Sequence, residues 1–185
     1  MFGNRREEFV RVAFAHFREL RRVAFRICED RETAEDLVQE TYLRAWRSFD
    51  RFALGTNCRA WLYRIFFNVH SEHRRTQQRK PVVFSLHHVK ETALSYETRI
   101  PSDLTLDEVK VAFAELAEPY RIALVLAEIE GMRYREIAEA LGVPIGTVMS
   151  RLSRGRQMLR ARLAAISSTP HENSSLEKQK KSGRI

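Results

Sequence analysis

The sequence predicts an all-α protein of two small helical domains joined by a flexible linker. Apolar residues recur at helical spacing through most of 5–79 and again through 105–166, and no segment alternates long enough to suggest a strand. Residues 80–104 carry prolines near both ends and only weak periodicity, which is typical of a linker. We therefore expect an N-terminal helical bundle, a C-terminal four-helix domain and a disordered polar tail over 167–185.

The charge balance favours a polyanionic partner. The 185 residues include 32 basic and 24 acidic side chains, which gives a net charge of +8, and the pI is near 9.9. Residues 59–80 and residues 145–166 each concentrate arginines on a predicted helix, one in each domain, so two contacts with an extended polyanion are expected. A basic protein with an ordinary solvated surface is the alternative.

Other features of the composition point to the cytoplasm. Cys28 and Cys58 lie 30 residues apart, without metal-like spacing, and fit buried thiols better than a disulfide framework. No apolar run approaches the roughly 20 residues that span a membrane, and the N-terminus lacks a secretory signal. We expect a cytoplasmic protein with no membrane insertion of its own.

Three helices are predicted in the first domain, at about 7–27, 32–48 and 57–79. The third begins after Gly55-Thr56-Asn57, a loop followed by a capping residue. In the second domain, Thr105 offers a capped helix start. Pro119 begins another helix, which Gly131 ends.

Residues 134–163 predict a helix-turn-helix. Gly142 can adopt the positive φ of a tight helix end, and Pro144 suits the start of the next helix. Ile137, Ala138 and Leu141 are expected to point inward. The second helix has an apolar face of Val148, Leu152, Leu159 and Leu163 and an opposite face of Thr147, Ser150, Arg151 and Arg154. Hydroxyls and guanidiniums on a helix of this kind suit the major groove of DNA.

The third predicted helix has a polar face suited to phosphates and unpaired bases. Its candidate DNA-binding residues are Trp61, at the edge of the face, and Arg64, Asn68, Glu72, Arg75 and Arg79. A solvated arginine face with Trp61 half-buried in the core is an equally good interpretation of this helix alone.

The second predicted helix also has a charged face. Asp36 and Glu40 share it with Arg44 and Arg47, and Gln39 flanks it. From these residues alone, a surface helix stabilised by ion pairs is favoured over a protein-docking face.

No catalytic, cofactor-binding or metal-binding motif is present in the sequence. There is no HExxH, phosphate-binding glycine loop, nucleophile elbow or Cys-His ligand spacing. Glu128 and Glu130 face different sides of a helix, which disfavours a shared acid-base role. We expect neither enzymatic activity nor a cofactor.

Three segments in this order resemble the extracytoplasmic-function class of bacterial sigma factors, of the sigma-70 family. They are AEDLVQETYLRAWRSF (34–49), GTNCRAWLYRIFFNVHSEHRR (55–75) and 116–163, which contains the helix-turn-helix. The resemblance implies a sigma region 2 domain at 5–79, a linker at 80–104 and a sigma region 4 domain at 105–166. It also implies core RNA polymerase, promoter DNA and an anti-sigma factor as partners.

The resemblance assigns roles to the candidate residues. Asp36, Leu37, Gln39 and Glu40 are expected to dock on the clamp helices of the polymerase. The polar face of 58–79 is expected to read and help melt the −10 element, with the 50–57 loop capturing a flipped base. The helix at 145–158 is expected to read the −35 element. Met149 departs from the family, which usually has lysine at this position. A stand-alone helix-turn-helix regulator is the alternative, and the first domain argues against it.

Overall fold

The computed structural model describes residues 2–28, 30–78 and 104–167, and within these ranges it contains helices and no strands. In chain order the α-helices are α1 (Phe2–Val12), α2 (Phe17–Ile27), α3 (Arg31–Ser48), α4 (Cys58–Gln78), α5 (Leu106–Ala114), α6 (Glu118–Leu124), α7 (Tyr134–Leu141) and α8 (Ile145–Ser167). The all-α prediction is confirmed. The predicted linker and tail lie outside the described residues, apart from Leu104 and Ser167, and the domain boundaries stay predictions.

The described residues form two compact units. The larger contains residues 2–78 together with Ala117–Gly155. The smaller contains residues 104–116 and 156–167, and within it Arg162 forms an ion pair with Glu115. The larger unit therefore includes α6 and α7, which the sequence places in the second domain, as well as α1 to α4.

The core of the larger unit is formed by α2, α3 and α4. Val23, Val38 and Phe66 are buried there, as the helical spacing of the apolar residues predicts. Thr41 is also buried in this core, and its hydroxyl donates to the Leu37 carbonyl oxygen at 2.6 Å. A buried hydroxyl that bonds its own helix in this way leaves no unsatisfied polar group.

The prediction of one continuous helix over 7–27 is wrong. α1 ends at Val12, a 3-10 turn occupies Phe14–His16, and α2 begins at Phe17. The Tyr42 hydroxyl donates to the Ala13 carbonyl oxygen at 3.1 Å, and the Phe14 ring lies 4.9 Å from the Tyr42 ring. These contacts come from α3, so a tertiary interaction stabilises a break that the local sequence does not signal.

The helix caps predicted at Asn57 and Thr105 are confirmed. Asn57 accepts a hydrogen bond from the Ala60 amide at 3.0 Å, and Asp30, which was not predicted as a cap, accepts one from the Thr33 amide at 2.7 Å. Thr105 and Glu108 form a capping box at the start of α5. The helix that begins near Pro119 continues as a π-helical turn over Val125–Ile129 and ends before Gly131, whose φ is +62°.

His70 is a buried titratable residue of α4. Burial lowers its pKa to about 4, and the positive charges of Arg74, His73 and Arg121 act in the same direction. A Glu118 carboxylate oxygen lies 3.4 Å from the imidazole Nδ1, but Glu118 also pairs with Arg74. Burial therefore determines the direction of the pKa shift, and His70 is neutral at pH 7.

The neutral state of His70 predicts a loss of stability in acid. The pKa in the folded chain lies below the unfolded value of about 6.5, so the contribution of His70 is complete above pH 6.5 and is lost as pH falls towards 4. Lowering the pH from 7 to 5 is expected to reduce the free energy of unfolding by about 2 kcal/mol through this residue. Urea denaturation of the protein and of His70→Gln at both pH values measures this. If His70→Gln loses as much unfolding free energy between pH 7 and pH 5 as the unaltered protein, His70 is not the source of the acid sensitivity.

Candidate nucleic-acid interface

α7, a tight turn and the start of α8 form the predicted helix-turn-helix. Gly142 adopts φ +64° and ψ +38°, and its amide donates to the Ala138 carbonyl, so it ends α7 as predicted. The Pro144 carbonyl accepts from the Thr147 amide at 2.9 Å, which begins α8. In α7, Ile137 is fully buried, whereas Ala138 and Leu141 are half-buried.

α8 separates a packing face from an outward face. Val148 and Leu152 are completely buried, and Leu163 is nearly so. Of the predicted −35-reading residues, Ser150 and Arg154 are exposed, while Thr147 and Arg151 are half-buried. The Ser150 hydroxyl donates to the Thr147 carbonyl at 3.0 Å. Ser150 and Arg154 thus lie on the outward face, and Thr147 and Arg151 at its margins.

α4 shows the same separation. The four predicted DNA-binding residues Arg64, Asn68, Glu72 and Arg75 are all exposed. The opposite face is buried through Leu62, Phe66 and Val69. Arg79 lies outside the described residues. Residues at spacings of three and four share one face of a helix, which is why the sequence pattern located this surface.

Trp61 stands at the edge of the α4 face, in an aromatic cluster. Its half-buried ring lies 4.7 Å from the Phe52 ring and 6.4 Å from the Phe49 ring. Phe49 immediately precedes the 50–57 loop, and Phe52 lies within it. The two interpretations of Trp61 are therefore compatible, since one side of the indole packs and the other remains accessible.

Within the larger unit, α7 packs against α4 and engages its polar face. A guanidinium nitrogen of Arg64 donates to the Glu139 carbonyl at 3.2 Å. The Asn57 amide donates to the Glu136 carboxylate at 2.9 Å. Gly142 lies so close to Arg64 that a Cβ at this position would collide with the guanidinium. The guanidinium is the end of a flexible side chain that could move aside, so the positive φ is what favours glycine at 142.

Two family descriptions match most of this architecture. Residues 14–80 match sigma-70 region 2, and residues 106–159 match sigma-70 region 4. The ECF RNA polymerase sigma factor SigE of Mycolicibacterium smegmatis is 35% identical over 161 residues, which cover 83% of this chain and 60% of that protein's length. SigW of Bacillus subtilis is 32% identical over 153 residues, which cover 76% of this chain and 81% of SigW.

A solved structure agrees with these matches. The sigma factor RpoE from Bartonella quintana, in complex with the anti-sigma factor NepR, superposes with a TM-score of 0.68 at 29% identity. The superposition covers 85% of this chain and 98% of RpoE. The chain belongs to the extracytoplasmic-function sigma factors of bacterial RNA polymerase. As a sigma factor it directs promoter-specific transcription, and a stand-alone regulator is not favoured.

The predicted polymerase-docking residues of this sigma factor lie on α3. Asp36 and Gln39 are exposed, and Glu40 is half-buried and pairs with Arg44 at 2.6 Å. Leu37 is buried, so it contributes to the core and supports the face from beneath. Leu43 is 50% exposed and lies one turn after Gln39. Leu43 was not among the predicted docking residues, although its spacing places it on the same helix face as Asp36 and Gln39.

A buried carboxylate holds α6 and α7 against the N-terminal helices. The Glu130 side chain is 1% exposed, and Arg22 binds both of its oxygens, at 3.0 and 2.6 Å. Arg26 lies 3.5 Å from one of them. Arg59 donates to the Glu130 carbonyl at 2.7 Å and pairs with Glu19. The sequence gives no signal of this cluster because Glu130 lies 71 to 108 residues from the arginines that bind it.

The remaining titratable groups do not suggest a catalytic or metal site. No group of three or more potential metal ligands occurs among the described residues. Burial raises the pKa of the Cys58 thiol to about 11, so it is protonated at neutral pH. None of the helices that the structure describes is long and apolar enough to cross a membrane.

The burial of Glu130 predicts that removing Arg22 destabilises the fold more than removing the charge of Glu130 does. Arg22→Ala leaves a buried carboxylate without its main partner and is expected to reduce the free energy of unfolding by about 3 kcal/mol. Glu130→Gln removes the buried charge and leaves a half-exposed Arg22 that water can solvate, so a smaller loss is expected. Urea denaturation measures both. Arg21→Ala, which breaks an exposed pair with Glu35, is the control, with an expected loss below about 1 kcal/mol. A larger loss in Glu130→Gln than in Arg22→Ala would contradict this account.

Proposed function

We propose that this sigma factor reads the −35 element with α8, reads and helps melt the −10 element with α4, and docks on core polymerase with α3. The observation that carries the proposal is the division of α8 into a buried apolar face and an outward face with hydroxyls and guanidiniums. A helix supported in this way can enter the major groove without unfolding its own domain. Thr147, Ser150, Arg151 and Arg154 are the proposed −35 contacts.

For the −10 element, we propose Trp61, Arg64, Asn68, Glu72, Arg75 and Arg79 as contacts. The half-buried Trp61 ring, packed on the buried Phe49 and Phe52 rings, supports a role in holding an extruded base, since a base can stack on such a ring. One guanidinium nitrogen of Arg64 donates to the Glu139 carbonyl of α7, and the remaining N–H groups of this exposed side chain can bind promoter DNA.

For the polymerase, we propose that Asp36, Gln39 and Glu40 form the contact surface, supported by Leu37 and extended by the exposed Leu43. A polar rim beside an exposed leucine is a common composition for a protein interface. The polymerase performs phosphoryl transfer, so this chain needs no catalytic residue of its own. We also propose a cytoplasmic location and an anti-sigma factor as partner, since RpoE from Bartonella quintana was solved with one.

Run-off transcription tests the proposed function. Core polymerase, the purified protein and a pool of promoter fragments are combined, and transcript starts are sequenced. Discrete starts that depend on the protein would support it and define both promoter elements. No protein-dependent starts, together with specific duplex binding by the protein alone, would favour the stand-alone regulator.

Arg151→Ala is expected to weaken −35 recognition. If Arg151 contacts a base edge, holoenzyme affinity falls by about 1–3 kcal/mol on the cognate element and little on a scrambled one. Competition binding with both duplexes measures this. Arg160→Ala, an exposed arginine farther along α8, is the matched control. An equal loss on both duplexes would make Arg151 a phosphate contact instead.

Asp36→Ala combined with Gln39→Ala is expected to weaken binding to core polymerase at least tenfold and to leave the urea midpoint unchanged. Both side chains are exposed, so their removal does not disturb the core. Fluorescence titration with core polymerase measures the affinity, and Glu7→Ala, another exposed acid, is the control. If the double variant binds core polymerase with unchanged affinity, Asp36 and Gln39 do not form the docking surface.

A further inference from the structure

Arg44 joins α3 to α4 through two carboxylates. Its Nε donates to Glu40 of the same helix at 2.6 Å, and its Nη1 donates to Glu72 of α4 at 2.7 Å. The guanidinium is a rigid plane, so two bonds in different directions fix both its position and its orientation. The Arg44 side chain is 39% exposed, which places it at the surface where the two helices meet.

The two carboxylates belong to different surfaces of the proposed function. Glu40 is one of the residues proposed to dock on core polymerase, and Glu72 is one of those proposed to contact the −10 element. Arg44 belongs to neither set, although it binds one member of each. It is therefore placed to influence a residue of either surface.

Glu72 is an uncommon kind of residue for a surface that binds DNA. Residues 59–80 contain five arginines, one lysine and a single acidic residue, Glu72. An unpaired carboxylate there would repel phosphates, and its long side chain would occupy several rotamers. A carboxylate helps recognition when it accepts a hydrogen bond from the amino group of a base. The Glu72 side chain is 52% exposed, so it can accept such a bond while Arg44 holds it.

We propose that Arg44 is a positioning residue for the −10 element, which holds Glu72 ready to accept a hydrogen bond from a base amino group. The pairing fixes the Glu72 side chain and offsets its charge against the phosphates. The bases of a melted strand expose their amino groups, so the acceptor meets its donor once the strands separate. The inference rests on the proposed −10 role of α4 and names the chemical group that Glu72 reads.

The test removes single amino groups from the −10 strand. The DNA is a fork junction whose −10 element, as defined by run-off transcription, is single-stranded. Each adenine, cytosine and guanine in it is replaced in turn by purine, pyrimidin-2-one or hypoxanthine, which lack the exocyclic amino group. Affinity is measured with holoenzyme at saturating core polymerase. At the base that Glu72 reads, loss of the amino group is expected to lower affinity about tenfold, as for one charge-assisted hydrogen bond.

A double-mutant cycle links this sensitivity to Arg44. The sensitivity is a ratio of two affinities for the same variant, so a general loss of positive charge cancels. Glu72→Ala should abolish it, because the acceptor is gone. Arg44→Ala should reduce it to about threefold or less, and should change nothing further when Glu72 is already alanine.

Two further variants serve as controls. Arg31→Ala removes another exposed arginine of α3, which pairs with Glu35 four residues later, and should keep the full sensitivity. Glu40→Gln should weaken binding to core polymerase but keep the sensitivity at saturating polymerase, since Arg44 still holds Glu72. Arg44→Ala and Arg31→Ala should have similar urea midpoints, because both remove exposed ion pairs.

The outcomes separate this inference from the proposed function. Tenfold sensitivity that persists in Arg44→Ala would overturn the positioning role. A much lower urea midpoint in Arg44→Ala than in Arg31→Ala would make Arg44 a residue of the fold instead, and loss of core binding equal to that of Glu40→Gln would make it a docking residue. Promoter-specific starts with no sensitive amino group would overturn the inference and leave the sigma role intact. Absence of protein-dependent starts would overturn both.

Discussion

The buried carboxylate of Glu130 is the constraint on which the arrangement of the larger unit depends. A carboxylate withdrawn from water is unfavourable by several kcal/mol unless charged partners replace the solvent. Arg22 supplies two hydrogen bonds from α2, and Arg59 binds the carbonyl of the same residue from α4. Because Glu130 lies between α6 and α7, these bonds determine where both helices meet the N-terminal core. The packing of α7 on α4 follows from them.

That packing gives the α4 surface two roles. Arg64 and Asn57 bond α7 in this structure, and Arg64 is also one of the residues proposed to read promoter DNA. A guanidinium has five N–H donors, so Arg64 can keep its bond to the α7 carbonyl and offer its other N–H groups to a phosphate, which is the stronger acceptor. The exposed Asn68 and Arg75 on the same face make no such bond to the helices described here. The α4 surface is thus partly engaged and partly accessible.

α8 shows how one helix combines stability with recognition. Its buried residues, Val148 and Leu152, fix the orientation of the helix. Ser150 and Arg154 lie on its outward face, with Thr147 and Arg151 at the margins. The packing face thus holds the helix in place while the opposite face presents hydroxyls and guanidiniums.

The sequence by itself determined the helical class, the helix boundaries set by Asn57, Thr105 and Gly142, and the faces of α4 and α8. Caps, turns and helical periodicity act within a few residues, so they are visible in a linear pattern. Only the tertiary structure decided the break after Val12, which Tyr42 stabilises from α3, and the partners of Glu130, more than 100 residues away in α2. Such contacts depend on which surfaces meet once the chain folds. Local periodicity carries no information about that choice.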